Sequence, residues 1–334
     1  GTGTVKRLES ELNGEADITW ISDVDHHLVL HESHRCIRNP DVQEKITFDI
    51  DEIKQPSTRF VQGRVDELDT DERVVTLEDE STVDYDYLLV GFGSRTAFFG
   101  IDGLEEHSLT LKTLEGVLEI HDEVTEAAQE ASRNDPAQVV VGGAGLSGIQ
   151  SAGEIAEFRD KHRAPIDIHL VEGLDSVFPN NDAVVQAKLR KLLEAKDVEI
   201  HTGEFIGEVD DETVYIGDEK ELEEAAGTAT VEKDERSSRI ETASDFQTSD
   251  ERVFSIGDAA LIDQSGQEQP APPTAQAAWQ AAEVAGENLA RSVRGQPLKE
   301  WKYDDKGTLI SVGSKAVAHN VKGLPIDTFG GPAA

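Results

Sequence analysis

Residues 139–155 read VVVGGAGLSGIQSAGEI. A run of β-branched residues, suited to a buried strand, runs into Gly143, Gly145 and Gly148 at G-x-G-x-x-G spacing. GIQSAGEIAEFRDKH then predicts an amphipathic helix, and PIDIHLVE predicts a second strand that ends in Glu172. In such a unit the first glycine permits the tight turn, the second lets backbone approach a pyrophosphate, and the third lets helix pack on strand. Leu146, Ser147 and Gly148 open the helix, whose N-terminus favours anions. Glu172, 24 residues beyond Gly148, stands where an acid accepts hydrogen bonds from a ribose 2′-hydroxyl, which selects NAD over NADP.

The front of the chain repeats the pattern in shortened form. GTGT supplies Gly1, Gly3 and Thr4 before a helix-like VKRLESELNG, and ADITWISD is a strand ending in Asp23, 20 residues after Gly3. Two readings stand here: a second cradle that lacks its leading strand, or a glycine-rich frayed terminus. β-like segments follow (TRFVQGRVDELD, RVVTLED, VDYDYLLVGFGSR), then a helix over 114–132. Beyond Glu172 come KDVEIHTG and ETVYIGD, and the acidic, alanine-rich stretch 218–236 reads as a solvated connection. DERVFSIGDAALID ends a buried strand in Gly257 and Asp258; a helix capped by Thr274 then runs to Gly295.

The 334 residues set a prior of two domains, one larger domain remaining open. Lys and Arg number 31 against 68 Asp and Glu, a formal charge of −37, which disfavours nucleic acid as a partner and suits a salt-rich cytoplasm such as a halophile's. One cysteine, Cys36, allows no disulfide and no CxxC pair, pointing to a cytoplasmic location. No apolar run reaches the ~20 residues needed to cross a bilayer, and nothing at the front of these residues resembles a signal peptide. The sequence starts without Met, so residues upstream are expected.

GTGT, YDYLLVGFGSRT, VVVGGAGLSGIQSAGEI, VFSIGDAA and PPTAQAAWQAA together resemble the two-dinucleotide-binding flavoproteins, and within them the type II NADH dehydrogenases (NADH:quinone oxidoreductases) of halophilic archaea. The resemblance implies an α/β fold of two Rossmann-like domains, with an NADH domain (114–240) inserted into a discontinuous FAD domain (1–113 and 241–296) and a C-terminal region (297–334). It implies FAD along Gly1, Gly3, Thr4, Asp23, Gly91, Gly93, Gly257 and Asp258, with Thr274, Ala275 and Gln276 beside the flavin ring. NADH would lie on Gly143, Gly145, Leu146, Ser147, Gly148 and Glu172, and quinone near Gln276 and Gln280. The implied activity is hydride transfer from NADH to flavin and electron transfer on to a quinone of the respiratory chain; another acceptor, or a non-catalytic FAD/NADH sensor, stays open. Physically, the 274–276 helix start would favour an anionic reduced flavin by up to ~2 kcal/mol.

Three departures from the family pattern stand out. A Glu common after the NADH glycines is Gln150 here, which cannot ionise, with Glu154 as the nearby substitute. No glycine-rich strand end shows between 213 and 245. The chain stops at FGGPAA, where relatives continue into an amphipathic membrane anchor; the resemblance therefore implies contact with the inner face of the cell membrane, and commonly a homodimer.

HHLVLHESHRC gathers His26, His27, His31, His34 and Cys36 within eleven residues, but its spacing fits no closed metal template, so no metal is expected; some of these imidazoles are candidate proton donors to quinone. Cys36 reads as a structural thiol. Lys315 reads equally as channel lining or as a hairpin cation, and Trp279 as quinone platform or core.

Overall fold

A computed structural model of the chain describes residues 1–217, 220–223, 226–229, 239–323 and 328–332. These divide into two compact units: one of Gly1–His27, Thr47–Ser94 and Ser237–Asp305, the other of Leu28–Ile46, Arg95–Arg236 and Lys306–Ala334.

In the first unit GTGT does not fray. Thr2–Leu12 is a helix that starts at Gly1 and ends at Asn13, whose left-handed backbone (φ 45°) stops it. Its partner is the Ala275–Val293 helix. The contact is made by small residues: a Cβ on Gly3 would lie 3.1 Å from Ala282 Cβ, and one on Gly286 would lie 2.7 Å from Arg7 Cβ and 2.9 Å from the Thr4 carbonyl. Thr19–Ser22 pairs in parallel with Arg59–Gln62, and Leu88–Val90 in parallel with Val253–Ser255. Phe246, Phe254, Ile256, Ala281, Ala285 and Trp301 form the core under the Ala275–Val293 helix.

The second unit is built on a parallel sheet in the order Val198–Thr202, Ile166–Glu172, Ala137–Gly142, Ala226–Ala229. The centre of this sheet comes from the apolar run that opens the glycine motif. Val139, Val141, Ile149, Ile155, Ile168 and Leu170 are fully buried, each contributing roughly 1.5–3 kcal/mol relative to exposure. The Leu114–Glu130 helix packs here through Val117, Ile120, Val124 and Ala127, and Thr113 caps it by accepting from the Gly116 amide.

Two expectations are corrected. The helix after the glycines, Leu146–His162, is not amphipathic over its first two-thirds: Ile149, Ser151, Ala152, Glu154, Ile155, Ala156 and Phe158 are all buried. It is enclosed because it touches the sheet on one side and the Thr308–Val312 strand and Arg35–Arg38 helix on others. Gly153 permits this: a Cβ there would lie 2.6 Å from the Gly313 nitrogen. The stretch 218–236 is also not simply a solvated connection. Lys220–Glu223 pairs antiparallel with Thr213–Ile216, and Ala226–Ala229 supplies the edge strand beside Ala137–Gly142. Backbone pairing, rather than a side-chain pattern, recruits them; 218–219, 224–225 and 230–236 lie outside the described residues.

Candidate functional site

The best-defined site in the second unit is the turn between Gly142 and Leu146. Gly143 adopts φ +84°, a left-handed conformation that favours glycine, and its amide donates to the Val171 carbonyl at 2.7 Å. A Cβ on Gly148 would lie 1.8 Å from the Gly143 carbonyl, so the helix can meet the turn only because residue 148 has no side chain. Gly145 starts the Leu146–His162 helix and has no side chain to cap it, so the positive end of the helix lies at the glycine turn. Glu172, at the end of Ile166–Glu172, accepts from the Ala144 amide at 2.8 Å and the Leu174 amide at 2.9 Å. One carboxylate thus ties the glycine turn to the neighbouring strand end and brings a negative charge to its rim. These residues fit a dinucleotide: a Cβ-free turn for the pyrophosphate and an acid for a ribose.

Deeper along the same helix, polar side chains face Arg35–Arg38 and Thr308–Val312. Gln150 donates to Ser311 Oγ at 3.1 Å, and the Ser311 hydroxyl also meets His34 Nε2 at 3.1 Å. Burial pushes His34 down to about 4, so its ring is neutral at ordinary pH. Glu154 is buried, with Arg38 Nε 3.1 Å from its Oε2. Burial raises its carboxyl to about 7 although the Arg38 charge opposes this. Glu157, one turn on, goes the other way: burial alone would raise it, but hydrogen bonds from Lys196 and Ser314 hold it at about 2.

In the first unit, the backbones of Gly1 and Gly91 converge: a Cβ on Gly91 would lie 3.4 Å from the Gly1 nitrogen. Gly93 follows with φ +76°, and Phe92 between them is 76% exposed. Gly257 (φ +70°) opens a single turn that carries Asp258, whose Oδ2 accepts from Ser94 Oγ at 3.1 Å. Asp23 sits exposed just beyond Thr19–Ser22. Thr4 is buried in the Thr2–Leu12 helix. These residues fit a second nucleotide in the same terms, with glycine backbones that can be approached closely and acids at strand ends.

Thr274 caps the Ala275–Val293 helix by accepting from the Ala277 amide at 3.2 Å. Gln276 Oε1 accepts from the Tyr303 hydroxyl at 3.0 Å; burial, and next the Asp305 charge, raise that phenol. Gln280 closes a two-bond ring with the Asp304 main chain, donating to its carbonyl at 2.9 Å and accepting from its amide at 3.0 Å. Trp279 is 79% exposed, which removes the core alternative for it. Lys315 is exposed at the start of the Lys315–His319 strand, in a three-stranded antiparallel sheet.

The histidine run does not converge. His26 and His27 belong to the first unit and His31, His34 and Cys36 to the second; no three of them share a point among the described residues. His27 Nδ1 instead lies 3.0 Å from Thr2 Oγ1. Cys36 is fully buried, and burial raises its thiol to about 11 against the opposing Arg35 charge. Sequence reasoning missed Arg38, Ser311 and Tyr303, whose contacts with Glu154, Gln150 and Gln276 span 27 to 161 residues of chain and leave no local signal. Ser94 was legible, lying inside GFGSRT.

The sequence pattern described as pyridine nucleotide-disulphide oxidoreductase matches residues 1–282. A type II NADH:quinone oxidoreductase of Staphylococcus aureus is 27% identical, over 98% of this chain and 88% of the relative. The fold is similar to that of NDH2 from Plasmodium falciparum in complex with NADH (TM-score 0.81, 15% identity, 95% of this chain and 88% of that one). It is also similar to the sulfide:quinone oxidoreductase of Aquifex aeolicus (TM-score 0.78, 16% identity, 100% of this chain and 84% of that one).

Proposed function

Because this chain belongs to the pyridine nucleotide-disulphide oxidoreductase family, we propose that it is an FAD-dependent NADH dehydrogenase that passes electrons to a quinone. The observation that carries this reading is the inert thiol. The family's name describes transfer through a disulfide, yet the one cysteine of these 334 residues is buried, without a second thiol, and protonated up to about pH 11. A flavin route that bypasses sulfur remains, and a quinone is the acceptor named for the S. aureus relative.

When bound, FAD supplies the two-electron relay between NADH and acceptor. Gly1, Gly3, Thr4, Asp23, Gly91, Gly93, Gly257 and Asp258 would hold it, with Thr274, Ala275 and Gln276 at the start of the Ala275–Val293 helix, whose positive end would favour negative charge beside it. Gly143, Gly145, Leu146, Ser147 and Gly148 hold the NADH pyrophosphate, and Glu172 accepts from its ribose and repels a 2′-phosphate. Gln150 is held by Ser311, whose hydroxyl also meets His34, and Glu154, titrating near 7, is a group able to exchange a proton at working pH. Gln276, steadied by Tyr303, and Gln280, bound to Asp304, orient the quinone end.

In this reading the FAD part is drawn from 1–113 and 241–296 and the NADH part from 114–240, with 297–334 as a C-terminal region. No helix among the described residues is long and apolar enough to cross a membrane, and peripheral attachment at the inner face of the cell membrane is part of the proposal, as is a homodimer. The charge of −37 supports work in a salt-rich cytoplasm, within a respiratory chain.

Anaerobic NADH consumption, measured with and without a water-soluble quinone, tests the proposal. Consumption that requires the quinone supports it. Consumption only when oxygen is admitted assigns another acceptor, and none under either condition leaves a nucleotide-binding sensor.

A further inference from the structure

We propose that His169, Glu199 and His201 form a binding site for a single zinc-class divalent cation, separate from the nucleotide cradles. His169 lies on the Ile166–Glu172 strand and the other two on Val198–Thr202, the edge strand of the parallel sheet. Strand periodicity puts Glu199 and His201 on one face, and the register sets His169 directly beside Glu199. Three potential ligands therefore converge from two neighbouring strands.

The distances fit a metal better than a chance cluster. His169 Nδ1 and His201 Nε2 are 3.2 Å apart; the Glu199 oxygens lie 3.7 Å from the first and 3.5 Å from the second. Around a tetrahedral zinc with bonds of about 2.0–2.1 Å, neighbouring ligand atoms sit about 3.3 Å apart. The carboxylate thus spans the two imidazoles at the spacing of ligands sharing an ion, longer than a hydrogen bond to either.

The surroundings prepare the first nitrogen. His169 Nε2 contacts Gln138 Oε1 at 2.8 Å. Gln138 is oriented by its own amide, which donates to the Pro136 carbonyl at 3.0 Å and to Asp167 Oδ2 at 3.3 Å, so its oxygen faces the ring. The proton of His169 is therefore on Nε2, and the lone pair of Nδ1 points at His201, the arrangement of a metal-bound histidine steadied by an outer partner. Without metal, His201 Nε2–H donates to that lone pair. With metal, the His201 proton passes to Nδ1, toward Glu204 Oε2 at 3.9 Å, and Nε2 becomes the second ligand. Neither step changes the proton count. Both histidines are buried while Glu199 is 62% exposed, so an ion has a way in and the third ligand meets it at the surface. Water completes the coordination.

The FAD-loaded protein, dialysed against micromolar zinc sulfate and then against zinc-free buffer at constant salt, should retain one zinc per chain by elemental mass spectrometry, released by chelator. Cobalt(II) in place of zinc should give the intense visible bands of tetrahedral coordination. Glu199→Gln, at an exposed position, and His201→Asn should each abolish retention, and Gln138→Leu should weaken it roughly 10–100-fold. His26→Asn, in the histidine run, should leave it unchanged. The Glu199→Gln and cobalt results decide the matter even where His201→Asn fails to fold. Failure of the wild type to retain zinc, or retention unchanged in Glu199→Gln, overturns the proposal. Neither result touches the assignment of NADH or FAD.

Discussion

Replacing Glu172 by Gln tests the donor cradle with little change of shape. In the native protein each carboxylate oxygen takes one main-chain N–H, from Ala144 at 2.8 Å and Leu174 at 2.9 Å. Glutamine keeps one acceptor and turns an NH2 toward the other donor, so one amide loses its partner. At this half-buried position that costs about 1 kcal/mol of stability, the low end for an unsatisfied group. A ribose hydroxyl bound to the carboxylate makes a charge-assisted hydrogen bond of about 1.5–3 kcal/mol, against about 0.5–1.5 for a neutral acceptor. The difference, about 1–1.5 kcal/mol, weakens NADH roughly 5–13-fold. NADPH moves the other way. A unit charge pair about 4 Å apart is worth about 4 kcal/mol at an effective dielectric constant of about 20, an upper bound that salt lowers. Loss of the acid should therefore shift the preference toward NADPH by roughly tenfold, well inside that bound. Calorimetric titration of both nucleotides into the FAD-loaded variant, alongside its melting curve, measures this, and Glu172→Arg should go further in the same direction. A folded Glu172→Gln protein with unchanged affinity for NADH and unchanged preference would refute the assignment of this carboxylate.

Gly148→Ala places a methyl group 1.8 Å from the Gly143 carbonyl; the variant should lose NADH binding while keeping its flavin content, read by absorbance after desalting. Glu154 shapes stability against pH. Its carboxyl titrates near 7 when folded against 4.5 otherwise, so between those values the folded chain keeps a proton that the unfolded chain releases, and stability falls as pH rises through the window. Glu154→Gln should remove this slope, matching wild type below about pH 4.5 and exceeding it above about pH 7 by up to roughly 3 kcal/mol in urea unfolding. Cys36→Ala should leave quinone-dependent turnover unchanged, and thiol reagents should leave the folded protein unlabelled by mass spectrometry, because burial holds the thiol at about 11.

The glycine unit was legible because its demands are local. Gly143 needs a positive φ, Gly148 needs a missing Cβ, and Glu172 ends the adjacent strand; each can be read from spacing alone. Thr274 was legible as a cap for the same reason. What escaped depends on partners distant in sequence. The edge strand Ala226–Ala229 has no β-branched pattern beyond Thr228 and is recruited by its main-chain ladder with Ala137–Gly142. The Leu146–His162 helix reads as amphipathic because Glu154 and Glu157 interrupt its apolar spacing; Arg38, from elsewhere in the chain, allows Glu154 to sit inside, and Lys196 pairs with the partly buried Glu157. At HHLVLHESHRC nearness in sequence makes no cluster, because the fold divides the run between two units, whereas His169 and His201, 32 residues apart, meet at 3.2 Å with no local signal to announce it.

The most direct test of the central claim follows the flavin spectrum of the purified, yellow protein under anaerobic conditions at high salt. Stoichiometric NADH should bleach the flavin band, and addition of a soluble quinone should restore it. A colourless protein that takes up no FAD, or a flavin that NADH leaves oxidised, would contradict the account.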